Sequence, residues 1–235
     1  MPAKNSIKIY VDEGFYHVYN RGVNKDFIFK DEYDYKAFLY YLNLYLLPKE
    51  VSIKKIQLNK NLTELEKNKK MAKILQLNNF YKKIEILCYV LMPNHFHLLL
   101  KQNNKNDIKI FLKSLLTKYA QYFNKKYQRV GPVFQGRYKA ILIDKKEYFL
   151  HLSRYIHLNP KELLKDNQKL IDYQWSSYRQ YLEIEETPEW LKKEYILSDF
   201  KNNKGFGFDS YQGFVEGFQE ADYEENNEFK RLILD

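Results

Sequence analysis

Two short stretches carry side chains that could do chemistry together. The first is "LMPNHFHLLL", residues 91–100, in which His95 and His97 stand one residue apart inside an apolar run. If the run is a strand, positions i and i+2 share a face, so both imidazoles point the same way and Phe96 points the other. Such a pair is either two satisfied core histidines or two nitrogen ligands offered to a divalent metal. The second stretch is "YFLHLSRYIHLNP", residues 148–160. On a helix, Tyr155 shares a face with Asn159 and with His151, each four residues away, which aligns a phenol, an amide and an imidazole. The plainer alternative is a packing helix. In that reading Tyr148, Phe149, Leu152, Tyr155, Ile156 and Leu158 fill a core, His151 and His157 are solvated, and Pro160 stops the helix. His157 falls on a different face from Tyr155 and is not assigned to the chemistry. These residues alone leave both readings open.

The elements that must position them follow from periodicity. "FYHVYNRG", residues 15–22, is an aromatic and β-branched run closed by Asn20, Arg21 and Gly22, a strand entering a turn. His17 alternates there with Phe15 and Tyr19, and is either structural or faces a ligand. "DEYDYKAFLYYLNLYLL", residues 31–47, opens on acids and stops at Pro48, as a helix does. Residues 49–83 are rich in Lys and Asn and predict a surface insertion with one helix around "LTELEKNKKMAKILQL". "KIEILCYVLMPNHFHLLLKQ" reads as an antiparallel strand pair turning at Pro93 and Asn94, with both histidines on the second strand.

An amphipathic helix over 106–127 places Ile110, Leu112, Leu115, Leu116, Tyr119 and Phe123 on one side, with Asp107 as its expected cap. "GPVFQGRYKAILI", residues 131–143, is a further strand or bent hairpin, and the tyrosine helix follows. The order β-α-β-β-α-β-α is an α+β arrangement, the ferredoxin-like split β-α-β-β-α-β motif with a helix added. It implies a mostly antiparallel sheet with helices on one face. Beyond residue 182 the chain turns acidic, with short helical patches expected at 188–200 and 209–222. The organisation is therefore a body over 1–182, interrupted by the 49–83 insertion, and an extension over 183–235.

Composition narrows the function classes. Among 235 residues there is one cysteine, Cys88, set in "ILCYVL", so a buried structural thiol is expected and a disulfide framework is set aside. No apolar run approaches the roughly 18 residues of a membrane span, and "MPAKNSIKIY" lacks the apolar core of a signal peptide. A soluble, cytoplasmic protein with no membrane partner is expected. The net charge of +9 is unevenly spread: residues 183–235 hold 14 acidic and 6 basic side chains, which leaves 16 acidic and 33 basic before them. Clustered cations gain affinity for polyanions by releasing phosphate counterions, so the body is suited to nucleic acid.

"MPNHFHLLL", "GRYKA" and "RYIHLNP", in this order and spacing, resemble the REP-associated tyrosine transposases, single-tyrosine HUH enzymes that process single-stranded DNA. The likeness extends to "YHVYNRGVNKDFIF", to "WSSYRQYL" and to the "PEWL" and "GFVEG" segments, and leaves the 49–83 insertion unmatched. The resemblance implies that His95 and His97 bind a divalent cation, Mg²⁺ or Mn²⁺. Asn159 falls where related enzymes carry a third ligand. It further implies that Tyr155 attacks a DNA phosphate, giving a 5′-phosphotyrosine link and a free 3′-hydroxyl. Arg137, Lys139 and Arg21 lie in family-like segments and are candidates for holding phosphates. The implied substrate is single-stranded DNA carrying a hairpin, handled by a monomer. Two other classes stand beside this one: a hairpin DNA or RNA regulator without strand transfer, and a metal-dependent hydrolase acting through water.

Overall fold

Runs rich in large apolar side chains build four strands in the computed structural model, which describes residues 9–201 and 207–217. These are β1 (Phe15–Arg21), β2 (Ile84–Met92), β3 (His95–Gln102) and β4 (Lys139–Ile143). They form one sheet in the order β2-β3-β1-β4, with every neighbouring pair antiparallel. This is the order that the split motif requires. The helices are α1 (Glu32–Leu46), α2 (Lys49–Gln57), α3 (Glu64–Gln76), α4 (Asp107–Lys126) and α5 (Lys146–Leu158). Three shorter ones follow: α6 (Tyr178–Tyr181), α7 (Glu194–Lys201) and α8 (Tyr211–Glu216). None of the described helices is long and apolar enough to cross a membrane.

Each face of the sheet buries its own core. Val18, Ile86, Phe96, Leu98 and Leu100 pack against Phe38 and Leu42 of α1 and Phe111, Leu115 and Tyr119 of α4. Cys88, Val90 and Leu99 face the other way, onto Leu152 and Ile156 of α5. Helices therefore cover both faces, and the added helix α5 takes the one that α1 and α4 leave open. Phe38 is fully buried, with ring centroids 5.3 Å from Phe96, 5.2 Å from Tyr119 and 5.6 Å from Phe29. Truncating Phe38 to Ala should cost about 3–5 kcal/mol of stability. Urea unfolding of the two proteins checks that figure.

Local chemistry explains most element ends, and it corrects two sequence expectations. Asp31 caps α1 by accepting from the backbone N–H groups of Tyr33 and Asp34. The 49–83 insertion holds two helices rather than one. Pro48 starts α2 at once. After the turn at 58–62, Thr63 and Glu66 form a capping box that starts α3. Asp107, expected to cap α4, is instead its first residue, and the cap position falls to Asn106. The Asp107 carboxylate turns back to accept from the backbone and side-chain N–H groups of Asn104. Gln102 takes over the capping work, because its Oε1 accepts from the Ile108 N–H at 3.1 Å. The 131–143 stretch follows a bent course: Phe134 bridges Gly22, and the strand proper begins only at Lys139. Gly131 and Gly136 supply the bend, with φ of 99° and 90°.

Residues beyond 182 pack on the body wherever they are described. Trp190 and Leu191 join the α1 and α4 core, and the Lys192 N–H donates to the Ile86 carbonyl. Together with the Ser177 N–H to Tyr89 carbonyl bond, this covers the outer edge of β2. Of the expected helical patches, α7 and α8 mark the described parts. Residues 1–8, on which the signal-peptide expectation bears, the stretch 202–206, and 218–235 with 6 of the extension's 14 acidic side chains lie outside the described residues.

Candidate active site

Register brings three imidazoles to one patch of sheet. His97 pairs with Tyr19, His95 with Arg21, and His17 with Leu99. Because side chains alternate, His17, Tyr19, His95 and His97 all point towards α5, while Phe96 enters the opposite core. The His95 and His97 ring centroids are 5.0 Å apart and perpendicular. Tyr155, on the facing side of α5, lies 5.6 Å from the His97 ring and 6.3 Å from His17, edge-on to both. The sequence assignment of His95, His97, Tyr155 and Asn159 thus corresponds to one constellation, to which the structure adds His17 and Tyr19.

The hydrogen bonds settle which atoms face each other. Asn94 Nδ2 donates to the Lys25 carbonyl, which turns Asn94 Oδ1 towards His95 Nδ1 at 2.6 Å. The hydrogen of a neutral His95 ring therefore sits on Nδ1, and Nε2 carries a lone pair. Asn159 Nδ2 donates to the Tyr155 carbonyl at 2.9 Å, so Asn159 presents Oδ1, and this oxygen lies 3.4 Å from His95 Nε2. In that tautomer two electron-pair donors face each other, an arrangement that a cation would stabilise. His97 Nε2 is also buried and has no hydrogen-bond partner. Burial pushes the His97 pKa well below the ordinary imidazole value, and the neighbouring His17, His95 and Arg21 push it further the same way. A neutral imidazole is the form that ligates a metal. Two ring nitrogens and one amide oxygen fit a small divalent cation that completes its shell with phosphate oxygens and water. Among the described residues no group of three or more His, Cys, Asp or Glu is placed to hold a metal ion by itself.

The candidate phosphate contacts divide. Arg21 is half-buried and stands opposite His95 in the β1–β3 pairing. Lys139 is exposed, with its ammonium 5.0 Å from the centroid of Tyr19, itself 5.4 Å from the His97 ring. Arg137 is exposed in the turn ahead of β4 and makes no hydrogen bond or ring contact with the constellation among the described residues. Sequence reading left His17 unassigned and passed over Asn94. The signal for His17 was its two-residue spacing from Tyr19 on a strand whose partner was not known.

The other two histidines of the tyrosine helix are not solvated. His151 is half-buried, hydrogen-bonded through Nδ1 to Arg154 Nη2 at 2.9 Å, with its ring 5.9 Å from Phe214. His157 is buried, held by Tyr211 Oη at 2.6 Å and Ser177 Oγ at 2.7 Å. Burial depresses its pKa from 6.5 to about 3. The unfolded chain therefore binds a proton between pH 6.5 and 3 that the folded one refuses, so stability falls as pH falls through that window. The loss between pH 7 and 5 should be about 2 kcal/mol from this group. Unfolding midpoints at the two pH values check it, and the drop should shrink in His157→Gln.

The antiparallel sheet thus aims two strand histidines at a helix tyrosine, with an amide one turn further on. Residues 53–159 match the family model described as "Transposase IS200 like". That span includes both histidines, Tyr155 and Asn159 but not β1. A solved structure described as "Structure of the REP associates tyrosine transposase bound to a REP hairpin" is similar at 14% identity and a TM-score of 0.44, covering 81% of this chain and 92% of that one. No curated protein matches the chain.

Proposed function

We propose that this protein is a metal-dependent single-strand DNA transposase, an endonuclease that cleaves and rejoins hairpin-bearing DNA through a 5′-phosphotyrosine intermediate. The observation that carries the reading is the convergence of His95 Nε2, Asn159 Oδ1 and the His97 ring on the place that Tyr155 faces. Tyr155 Oη loses its proton to solvent as it attacks the phosphorus, the bond to the 3′ oxygen breaks, and that oxygen takes up a proton from solvent and leaves as a hydroxyl. The phosphodiester is conserved as a tyrosyl ester, so a second 3′-hydroxyl can reverse the step without a nucleotide cofactor. A bound Mg²⁺ or Mn²⁺ would supply Lewis-acid polarisation of the phosphate oxygens. Because α5 folds onto its own sheet, nucleophile and ligands come from one chain, which supports a monomer as the active unit.

The basic body supports DNA as the partner. Arg21 and Lys139 flank the constellation, and a cleft of about 400 Å³ lined by Lys25, Asp26, Phe27, Lys30 and Arg129, three cations to one carboxylate, opens beside the turn that Asn94 ties to His95. Phe27 is 58% exposed there, a ring that an unpaired base could stack on. Arg137→Ala tests the outer contact: affinity for a hairpin oligonucleotide should weaken, and the salt dependence of log K should flatten by about 0.7 to 0.9 for one lost phosphate contact. Fluorescence anisotropy over a salt series reads both. For the function itself, a hairpin oligonucleotide with a single-stranded flank is incubated with Mn²⁺ and resolved on a denaturing gel. A protein–DNA adduct is expected. Binding without cleavage would make the protein a regulator, and cleavage without an adduct would make it a hydrolase.

A further inference from the structure

We infer that His17 is a positioning residue that sets the tautomer of His97, leaving His97 Nε2 free of hydrogen. This rests on the reading of His95, His97 and Asn159 as a cation site. His17 is fully buried, as is His97, and its Nε2 lies 2.8 Å from His97 Nδ1. The two rings are nearly parallel, with centroids 5.0 Å apart and planes 19° apart, and Tyr19 stacks on both at 4.9 Å and 5.4 Å. This three-ring stack, built from adjacent positions of β1 and β3, leaves neither imidazole room to turn.

One hydrogen lies between the two nitrogens, and its owner decides what the far side of His97 can do. If His17 donated it, the neutral His97 ring would carry its own hydrogen on Nε2. That would be a buried N–H with no acceptor, since His97 Nε2 has no partner. If His97 Nδ1 donates to His17 Nε2, then His97 Nε2 is a lone pair. It then matches His95, whose Nδ1 is similarly held by Asn94 Oδ1 at 2.6 Å. Each histidine thus has its inner nitrogen fixed by a neighbour, His95 by an amide and His97 by His17. Ligating histidines are commonly held through the second nitrogen, and loss of that partner typically costs about 10–100-fold in metal affinity.

The test uses the full chain with two variants. His17→Gln keeps an acceptor oxygen for His97 Nδ1–H, whereas His17→Leu removes it. In the metal-free protein, long-range ¹H–¹⁵N NMR of the imidazoles should show His97 protonated at Nδ1 in the wild type and in His17→Gln, and mixed in His17→Leu. Mn²⁺ affinity, read by electron paramagnetic resonance of free Mn²⁺, should fall about 10–100-fold in His17→Leu and recover largely in His17→Gln. A wild-type His97 protonated at Nε2 overturns the inference, and so does a folded His17→Leu that binds Mn²⁺ as tightly as wild type. Should His17→Leu fail to fold, the wild-type tautomer and the His17→Gln affinity still decide. A wild type that takes up no Mn²⁺ would instead overturn the cation site, while the tautomer would still decide the role of the hydrogen bond.

Discussion

Tyr155→Phe should bind hairpin DNA as the parent does and form no covalent adduct. The substitution removes one oxygen from a half-buried ring and leaves the edge-on packing against His97 and His17 in place. Among the described residues no other tyrosine has this combination of access and neighbours: Tyr19 faces the same way but lies within the imidazole stack, with the Lys139 ammonium over its ring. Loss of a covalent nucleophile typically lowers rate by on the order of 10⁴ to 10⁶, which places the variant below detection on a gel. Anisotropy with the same oligonucleotide measures the retained binding. If the variant still formed the adduct, the nucleophile would lie elsewhere in the chain.

The second large effect is expected from His95→Ala. His95 sits at the first position of β3 and is half-buried, so its truncation leaves the two cores intact. It removes the nitrogen that faces Asn159 Oδ1. The rate of Mn²⁺-supported cleavage should fall about 10² to 10⁴-fold, a barrier raised by about 3–5 kcal/mol, with the melting temperature little changed. His97→Ala should abolish cleavage too, but it also empties a fully buried site and so lowers stability. The comparison separates ligand loss from unfolding. Cleavage by His95→Ala at the parental rate, with the same dependence on Mn²⁺, would contradict the metal site.

How much of this was legible in the sequence depends on whether the signal was local. The β2–β3 hairpin was readable because two dense apolar runs are split by Pro93 and Asn94, and the pairing of Met92 with His95 bears this out. Asp31 announced α1 through an acidic first turn. Of the two helices of the insertion, only α3 was legible in the sequence, because α2 has weak periodicity and no buried residue. His157 was misjudged for a different reason. Its partners Ser177 and Tyr211 lie 20 and 54 residues further along, and no window on the helix contains them. The same holds for His17, which meets His97 across 80 residues through a strand register that periodicity on one strand does not give. Residue types near the chemistry were visible, whereas the groups that hold His97 and His157 came from distant parts of the chain.

The central claim is that Tyr155 becomes joined to DNA with His95, His97 and Asn159 beside it. It is tested most directly by incubating the protein with a hairpin oligonucleotide and Mn²⁺, then digesting and mapping the adduct by mass spectrometry. The account expects one nucleotide-bearing peptide, modified at Tyr155 through a 5′ phosphate, with the other fragment ending in a free 3′-hydroxyl. Cleavage that leaves no modified peptide, or a modification mapped to any other residue, would contradict it.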